Sequence, residues 1–590
     1  MTSSADASHE QIHLGYPQDW SSRHLLMPGT RADDVLAAGV AHDPRYVYNM
    51  VMRQVAVERS KRIEFLRPRH QPHHTEIDWA VSLENGYVPQ NQFPAKYQFS
   101  VVAENCNTDY IVFGLTVNGT GTQANLVGIN NLYTGASPAC NGGSPWVAFA
   151  YNTVTQTGGQ IKTSPVLSMD GTKVAFVEST SAGSYFHVLY LPNPIPTPPA
   201  QSGSVLSPLT PTSCTTPTTL GCMTTLAIET SATNSNSSPW VDYSTDTAYV
   251  GADNGVLYKI TPVFGGGAPA LVNDSANWPV AVSTNQYNTI LTAPVVDDNA
   301  GLIFIGDGEG YLYSVKLTKP AKTYAAQQTI GWVYDGTTDG SGKPGTGVVD
   351  PPIAVNDPAN STADQVFAFT GCSIVPGIGG AVTQVAANFT TGSPTSSNTV
   401  DLGSASGDGD CTGKNVHAGA FDNAFWLNGS TSGHMITCGF VQSGGVPAAP
   451  KMYFFPFASH VITSTGSTTF QINSTKGDEC SPLTEFYNGT TDRLFFGVGS
   501  ATDGYLESST ITTSLTTPTC SGAPTSSCVT SPSAMGGTSG IVIDNQMSNG
   551  GTNIYFSTVA AGSVNGQKCN VSGGTANPYC AVKLTQSALQ

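Results

Sequence analysis

The strongest constraint on this chain is a two-strand unit that recurs eight times. Each unit opens on a small residue or proline, runs through a short apolar strand to a polar turn, and returns in a second apolar strand that often ends in glycine. The units are PAKYQFSVVAENCNTDYIVFG from Pro94, SPVLSMDGTKVAFV around Pro165, SPWVDYSTDTAYVG around Pro239 and APVVDDNAGLIFIG around Pro294. They continue with PPIAVNDPANSTADQVFAFTG around Pro352, HAGAFDNAFWLNGSTSGHMITCGF around Ala418, SPLTEFYNGTTDRLFFGVG around Pro482 and SGIVIDNQMSNGGTNIYFST around Gly540. Successive starts lie 55 to 74 residues apart, room for four strands with generous loops. Short apolar runs punctuated by Gly, Asn, Asp and Pro read as strands and turns. One such unit cannot bury both of its faces, so the repeats must stack, and a ring that closes removes the exposed edges.

The expected fold is therefore all-β: a single closed β-propeller of about eight four-stranded blades over residues 79–590, behind a partly helical N-terminal arm, residues 1–78. Seven blades are the alternative, because the first unit matches least well and the long interval before Pro165 leaves room for irregularity. Trp79-Ala80-Val81-Ser82-Leu83 stands just ahead of the first unit and is placed to supply an outer strand to the last blade, or the chain's end to supply one to the first; either way the two chain ends latch the ring. Asp170-Gly171 and Asn254-Gly255 read as hairpin turns in which glycine takes a positive φ. Tyr249-VGADNGVLYK-Ile260 and Phe304-IGDGEGYLYS-Val315 resemble the PQQ-type propeller repeat, and Ser168-MDGTKVA-Phe176 resembles the TolB/WD40-like repeat. The resemblance implies a secreted bacterial propeller and hence a fold; the same blades carry enzymes, receptors and scaffolds alike.

Arm and body differ in charge. The net charge is −17, but residues 1–80 hold nine Lys/Arg and ten Asp/Glu, leaving 14 basic against 30 acidic residues in the remainder. An acidic body argues against nucleic acid and anionic lipid as partners. No run of apolar residues is long enough to span a membrane. In the arm, Asp43-Pro44 reads as an N-cap followed by an N1 proline, opening a helix whose Val47, Val51 and Val55 form an apolar stripe. A second helix start is read at Thr30. Helices this short need a docking surface. With Arg45, Arg53 and Arg59 they form a candidate assembly arm, suited to the acidic surface of a neighbouring copy, with a brace folded onto its own blades as the alternative.

Twelve cysteines and no C-x-x-C point to disulfides rather than metal ribbons. Cys214–Cys222 and Cys520–Cys528 share one spacing across polar loops and are expected as local bridges, and Cys569–Cys580 is expected beside them. Nearest-neighbour pairing adds Cys106–Cys140, Cys372–Cys411 and Cys438–Cys480, although sequence alone leaves the connectivity open. Disulfides suit an extracellular or cell-surface location. The N-terminus MTSSADASHE shows no secretory pattern, which implies another export route or a start inside a longer precursor.

Catalytic signatures are sparse. The chain lacks the vicinal Cys-Cys pair and the recurrent tryptophan motif of quinoproteins, which argues against bound PQQ. There is no G-x-S-x-G elbow and no H-E-x-x-H pair. Asp408, Asp410 and Thr412 follow the opening of a calcium loop, making Ca²⁺ the one cofactor the sequence offers. However, Gly419 stands where a bidentate Glu belongs, and a Gly/Asp surface loop accounts for the fragment equally well. The expected function is a non-enzymatic extracellular or cell-surface propeller, structural or adhesive and self-assembling through its arm, with surface polysaccharide a further partner class. The alternative is a ligand- or carbohydrate-binding propeller, or a hydrolase, lyase or quinoprotein-like enzyme, with its site at the channel mouth. A plugged channel favours the first reading; a polar cluster of Asp, Glu and His at the mouth favours the second.

Overall fold

The structure is a computed structural model. It describes residues 15–29, 43–46, 49 and 53 of the arm. It also describes residues 75–586, with breaks at 101–103, 135–139, 141–143, 193–194, 196–202, 215–220, 231–233, 285–287, 332–346, 358–363, 374–377, 395–397, 405–414, 444–445, 473–477, 488, 490, 501–503, 512–527, 545–551, 565–566 and 570–576.

Each of the eight sequence units folds as the first hairpin of one blade. In the first blade Ala95–Gln98 pairs antiparallel with Tyr110–Gly114, and Leu126–Asn130 and Trp146–Tyr151 complete the sheet. In the third, Trp240–Asp242 pairs with Thr247–Gly251 and then Val256–Thr261; in the fourth, Val295–Asp297, Leu302–Gly306, Tyr311–Lys316 and Ala326–Thr329 follow one another. Eight such sheets form the ring, so the alternative of seven is set aside. The turns have the chemistry read from sequence: Gly171 has φ +67° and Gly255 φ +79°. At the first of these, Asp170 accepts from the Thr172 N–H at 3.0 Å and from the Ser168 hydroxyl, fixing the bend.

The ring closes with its own two ends. Thr75–Glu84 is the outer strand of the last blade and pairs antiparallel with Tyr579–Gln586, Ala80 facing Val582. That strand pairs in turn with Thr552–Ser557, and Val542–Asp544 is the innermost. The closing strand begins at Thr75, a few residues ahead of the boundary read from the sequence, because its pairing runs on past Trp79 through a bulge at Ile77/Trp79.

First strands of neighbouring blades touch one another, which places them around the axis. The apolar core lies between the blades, and part of it is arm: Trp20, Leu25, Met27 and Tyr46 pack in one cluster with Trp240, Val250 and Ile303. Pro44–Tyr46 is helical, and the Arg45 N–H donates to Asp43 Oδ1 at 2.8 Å, the expected N-cap contact. Val47, Val51, Val55 and Arg59, like the helix start at Thr30, lie outside the described residues.

Disulfides join Cys106–Cys140, Cys214–Cys222, Cys438–Cys480 and Cys569–Cys580. Cys372 is also disulfide-bonded. Cys411 and Cys520 lie outside the described residues, so the expected pairs Cys372–Cys411 and Cys520–Cys528 do too. Cys438 and Cys480 stand on adjacent blades, so their bridge staples the sixth blade to the seventh.

Candidate functional site: the central channel and its plug

The innermost strand of a blade presents unpaired backbone N–H and C=O groups to the channel, and another strand can add to that edge. Here the arm does so twice. Tyr16–Gln18 pairs antiparallel with Ala95–Gln98 of the first blade, Tyr16 facing Gln98 and Gln18 facing Lys96. Leu25–Leu26 pairs parallel with Ile353–Val355 of the fifth blade. The Ala354 N–H donates to the His24 carbonyl and the Asn356 N–H to the Leu26 carbonyl, both at 2.8 Å. In a ring of eight the first and fifth blades face each other, so the segment between them crosses the channel.

That segment is a single 3₁₀ turn, Trp20–Arg23, capped by Asp19, whose carboxylate accepts from the Ser21 N–H at 2.9 Å. Trp20 is 1% exposed and donates its indole N–H to the Pro239 carbonyl at 3.2 Å. Its ring meets Trp240 edge-on at 5.7 Å. Arg45, equally buried, spans the interior: Nε donates to Ser21 Oγ at 2.7 Å, Nη1 to Asp43 Oδ2 at 2.6 Å and Nη2 to the Val241 carbonyl at 2.8 Å. Its guanidinium lies 4.1 Å from the Trp240 ring centre. Burial works against the Arg45 charge, yet Asp43, Tyr243 and Asp19 hold its pKa above the ordinary value. His24 is the opposite case: burial pushes it down to about 4, and its Nδ1 lies 3.1 Å from the Pro352 carbonyl.

One channel mouth keeps a cavity of about 150 Å³, lined among others by Arg53, Trp426, Glu485, Tyr487, Phe421 and Leu26. The Arg53 guanidinium stacks 4.3 Å from the Trp426 ring centre, donates to Asn423 Oδ1 at 2.9 Å and is ion-paired with Glu485. Behind Glu485, Asp492 is pushed up to about 10 by burial and by the Glu485 charge, and it accepts from the Asn423 N–H at 2.6 Å. A protonated carboxyl beside an Arg-paired carboxylate is an acid–base pair in form. Yet the cavity falls short of the several hundred Å³ typical of ligand pockets, roughly 300–1,000 Å³, and Arg53, part of the arm itself, stands against the carboxylate.

Arg45 and Arg53, read from sequence as assembly residues, are thus engaged with their own blades. Within this single chain their partners are buried backbone, Asp43, Asn423 and Glu485, the arrangement of a brace on its own blades. The candidate calcium residues Asp408, Asp410 and Thr412 lie outside the described residues. Among the described residues no group of three His, Cys, Asp or Glu is arranged to hold a metal. Sequence reasoning missed the stretch YPQDWSSRHLLM altogether. Its signal was present: Tyr16, Trp20, Leu25, Leu26 and Met27 form an apolar set too dense for a free tail.

No protein-family model matches the chain, and no curated protein matches it. Among solved structures it is similar to BamB from Moraxella catarrhalis (8% identity, 86% of this chain and 97% of that one, TM-score 0.37). It is also similar to Sqt1 of Saccharomyces cerevisiae (8%, 87% and 99%, TM-score 0.43) and to the C-terminal WD40 domain of Sif2 (9%, 74% and 85%, TM-score 0.32). At such identities and scores the likeness carries no argument about function.

Proposed function

We propose that this protein is a non-enzymatic, extracellular or cell-surface propeller with a structural or adhesive role. The observation that carries the reading is the plug: the place where a propeller usually receives a ligand is filled by the chain's own residues, down to a fully buried tryptophan and arginine. Disulfides on several blades support an oxidising location. Among the described residues the exposed large hydrophobic side chains are Met169, Leu209, Ile290, Leu427 and Tyr505. Only one is aromatic, which favours a structural role over a stacking platform for surface polysaccharide.

Self-association through the arm remains part of the reading, by exchange. An arm that fits its own channel fits the channel of an identical copy equally well, and successive exchange builds chains of subunits. The second reading, a hydrolase at the channel mouth, rests on Asp492 and Glu485 and requires the arm to leave.

Labelling intact cells of the source with a membrane-impermeant amine reagent tests the location. The protein is expected to be labelled on whole cells or recovered from the medium; labelling only after lysis overturns the proposal. Electron microscopy and light scattering of the purified protein test exchange. Oligomers that vanish when residues 1–74 are removed support it, and a monomer at every concentration rules it out.

A further inference from the structure

The seam between the first and last blades buries a cluster of ionisable groups that the plug does not use. Lys96 stands on the innermost strand of the first blade and Asp544 ends the innermost strand of the last. Both side chains are fully buried, with Nζ 2.9 Å from Oδ2. The tyrosine rings of Tyr133 and Tyr555 enclose the amine, their centres 5.4 and 5.8 Å from Nζ. Asn553 Nδ2 donates to the other carboxyl oxygen, Asp544 Oδ1, at 2.8 Å. On its far side the amine donates to the Tyr133 hydroxyl at 3.1 Å, and that hydroxyl donates to Asp109 Oδ2 at 2.7 Å.

An amine and a carboxyl held in contact, dry and oriented, are the reactants of an amide, and such fixed proximity replaces a large part of the barrier of an encounter in solution. We propose that Lys96 and Asp544 join in an intramolecular isopeptide bond that closes the ring covalently between its first and last blades. The ammonium passes one proton to Asp544 Oδ2, giving amine and acid. The Nζ lone pair then attacks Cγ and forms the N–C bond, while the Asn553 amide holds the oxygen on which negative charge collects. Nitrogen loses a second proton through the Tyr133 hydroxyl to Asp109. The Cγ–Oδ2 bond breaks, and the hydroxyl leaves with that proton as water. One ammonium and one carboxylate become one amide and one water, with no oxidant or cofactor consumed.

Asp109 suits the acceptor's part, because burial raises its pKa above the usual carboxylate range and makes it the stronger base. The neighbouring buried pair, Lys583 and Asp78, is closer still at 2.7 Å, but the Tyr133 hydroxyl that leads to Asp109 bonds Lys96. The other hydrogen bond of Lys583 goes to the Thr134 carbonyl at 3.3 Å, which takes up no proton.

Intact-mass spectrometry of the full chain, reduced and denatured, tests the bond on the unaltered protein, so no variant needs to fold. The chain is expected to weigh one water less than its sequence, and a branched peptide is expected to link Lys96 to Asp544. Lys96→Met restores the full mass. Asp109→Asn keeps the shape but not the base and leaves unreacted chain that converts slowly. A wild-type chain of full mass, or a water loss mapped to Lys583–Asp78 or to an unbranched succinimide, overturns the proposal. Dehydration of Asp109→Asn at the wild-type rate overturns the relay.

Discussion

Arg45 carries a positive charge inside the ring with every donor group engaged by Ser21, Asp43 or the Val241 carbonyl. Removing one partner of such a pair strands the other, so Arg45→Ala is expected to cost about 3–5 kcal/mol, read as a lower urea midpoint at unchanged slope. His24 titrates the plug. Its folded pKa is about 4 against an ordinary 6.5, so between these values the unfolded chain binds more protons and stability falls as pH drops. The full difference is about 3 kcal/mol, reached near pH 4. Other buried carboxyls work the opposite way: burial raises Asp307 to about 6, so the native state holds its proton more tightly and gains stability as pH falls. The test is therefore a difference: the gap in stability between wild type and His24→Gln should change from pH 7 to pH 4 in favour of the variant. A gap that stays constant over that range would show that His24 is not held neutral by the plug.

Among elements, the blade hairpins and the arm were unequally legible. The hairpins announce themselves locally, through alternating apolar residues and turn residues such as Asp170-Gly171, and all eight form where the repeats stand. For the arm, the Asp43-Pro44 helix start was legible, since capping is also local, but its destination was not. Pairing of Tyr16–Gln18 with Ala95–Gln98, and of Leu25–Leu26 with Ile353–Val355, depends on which edge the ring leaves open at its axis. Deleting residues 1–74 keeps the closing strand from Thr75 onward yet uncovers both channel edges and the Trp240 side of the core. The truncated ring is expected to stay β-rich by circular dichroism but to melt at least several degrees lower; an unchanged melting temperature would mean that the plug contributes nothing to the fold.

For the whole molecule, the ring's cohesion rests on contacts between blades, and the Cys438–Cys480 bridge spans one such boundary with a sequence separation of 42. Closing a loop of that length is worth about 4 kcal/mol on the chain-entropy relation. Replacing both cysteines with alanine should therefore lower stability more than opening Cys214–Cys222, with its separation of 8, for which the same relation gives about 2.5 kcal/mol. Chemical denaturation of the two double variants side by side checks the order. Equal losses would show that strain or residual structure, not loop length, sets the contribution of these bridges.

The sequence by itself determined the all-β ring of about eight blades and marked the two chain ends as candidates for its closure, because strand periodicity, turn chemistry and repeat spacing are local or regular signals; the tertiary structure fixed the count at eight. Only the tertiary structure decided what fills the channel and which charges meet. Arg53 reaches Glu485, and Lys96 reaches Asp544, from opposite ends of the chain. No period or spacing encodes those meetings: they follow from ring closure, which brings the ends of the chain together at one seam and leaves one axis to be filled.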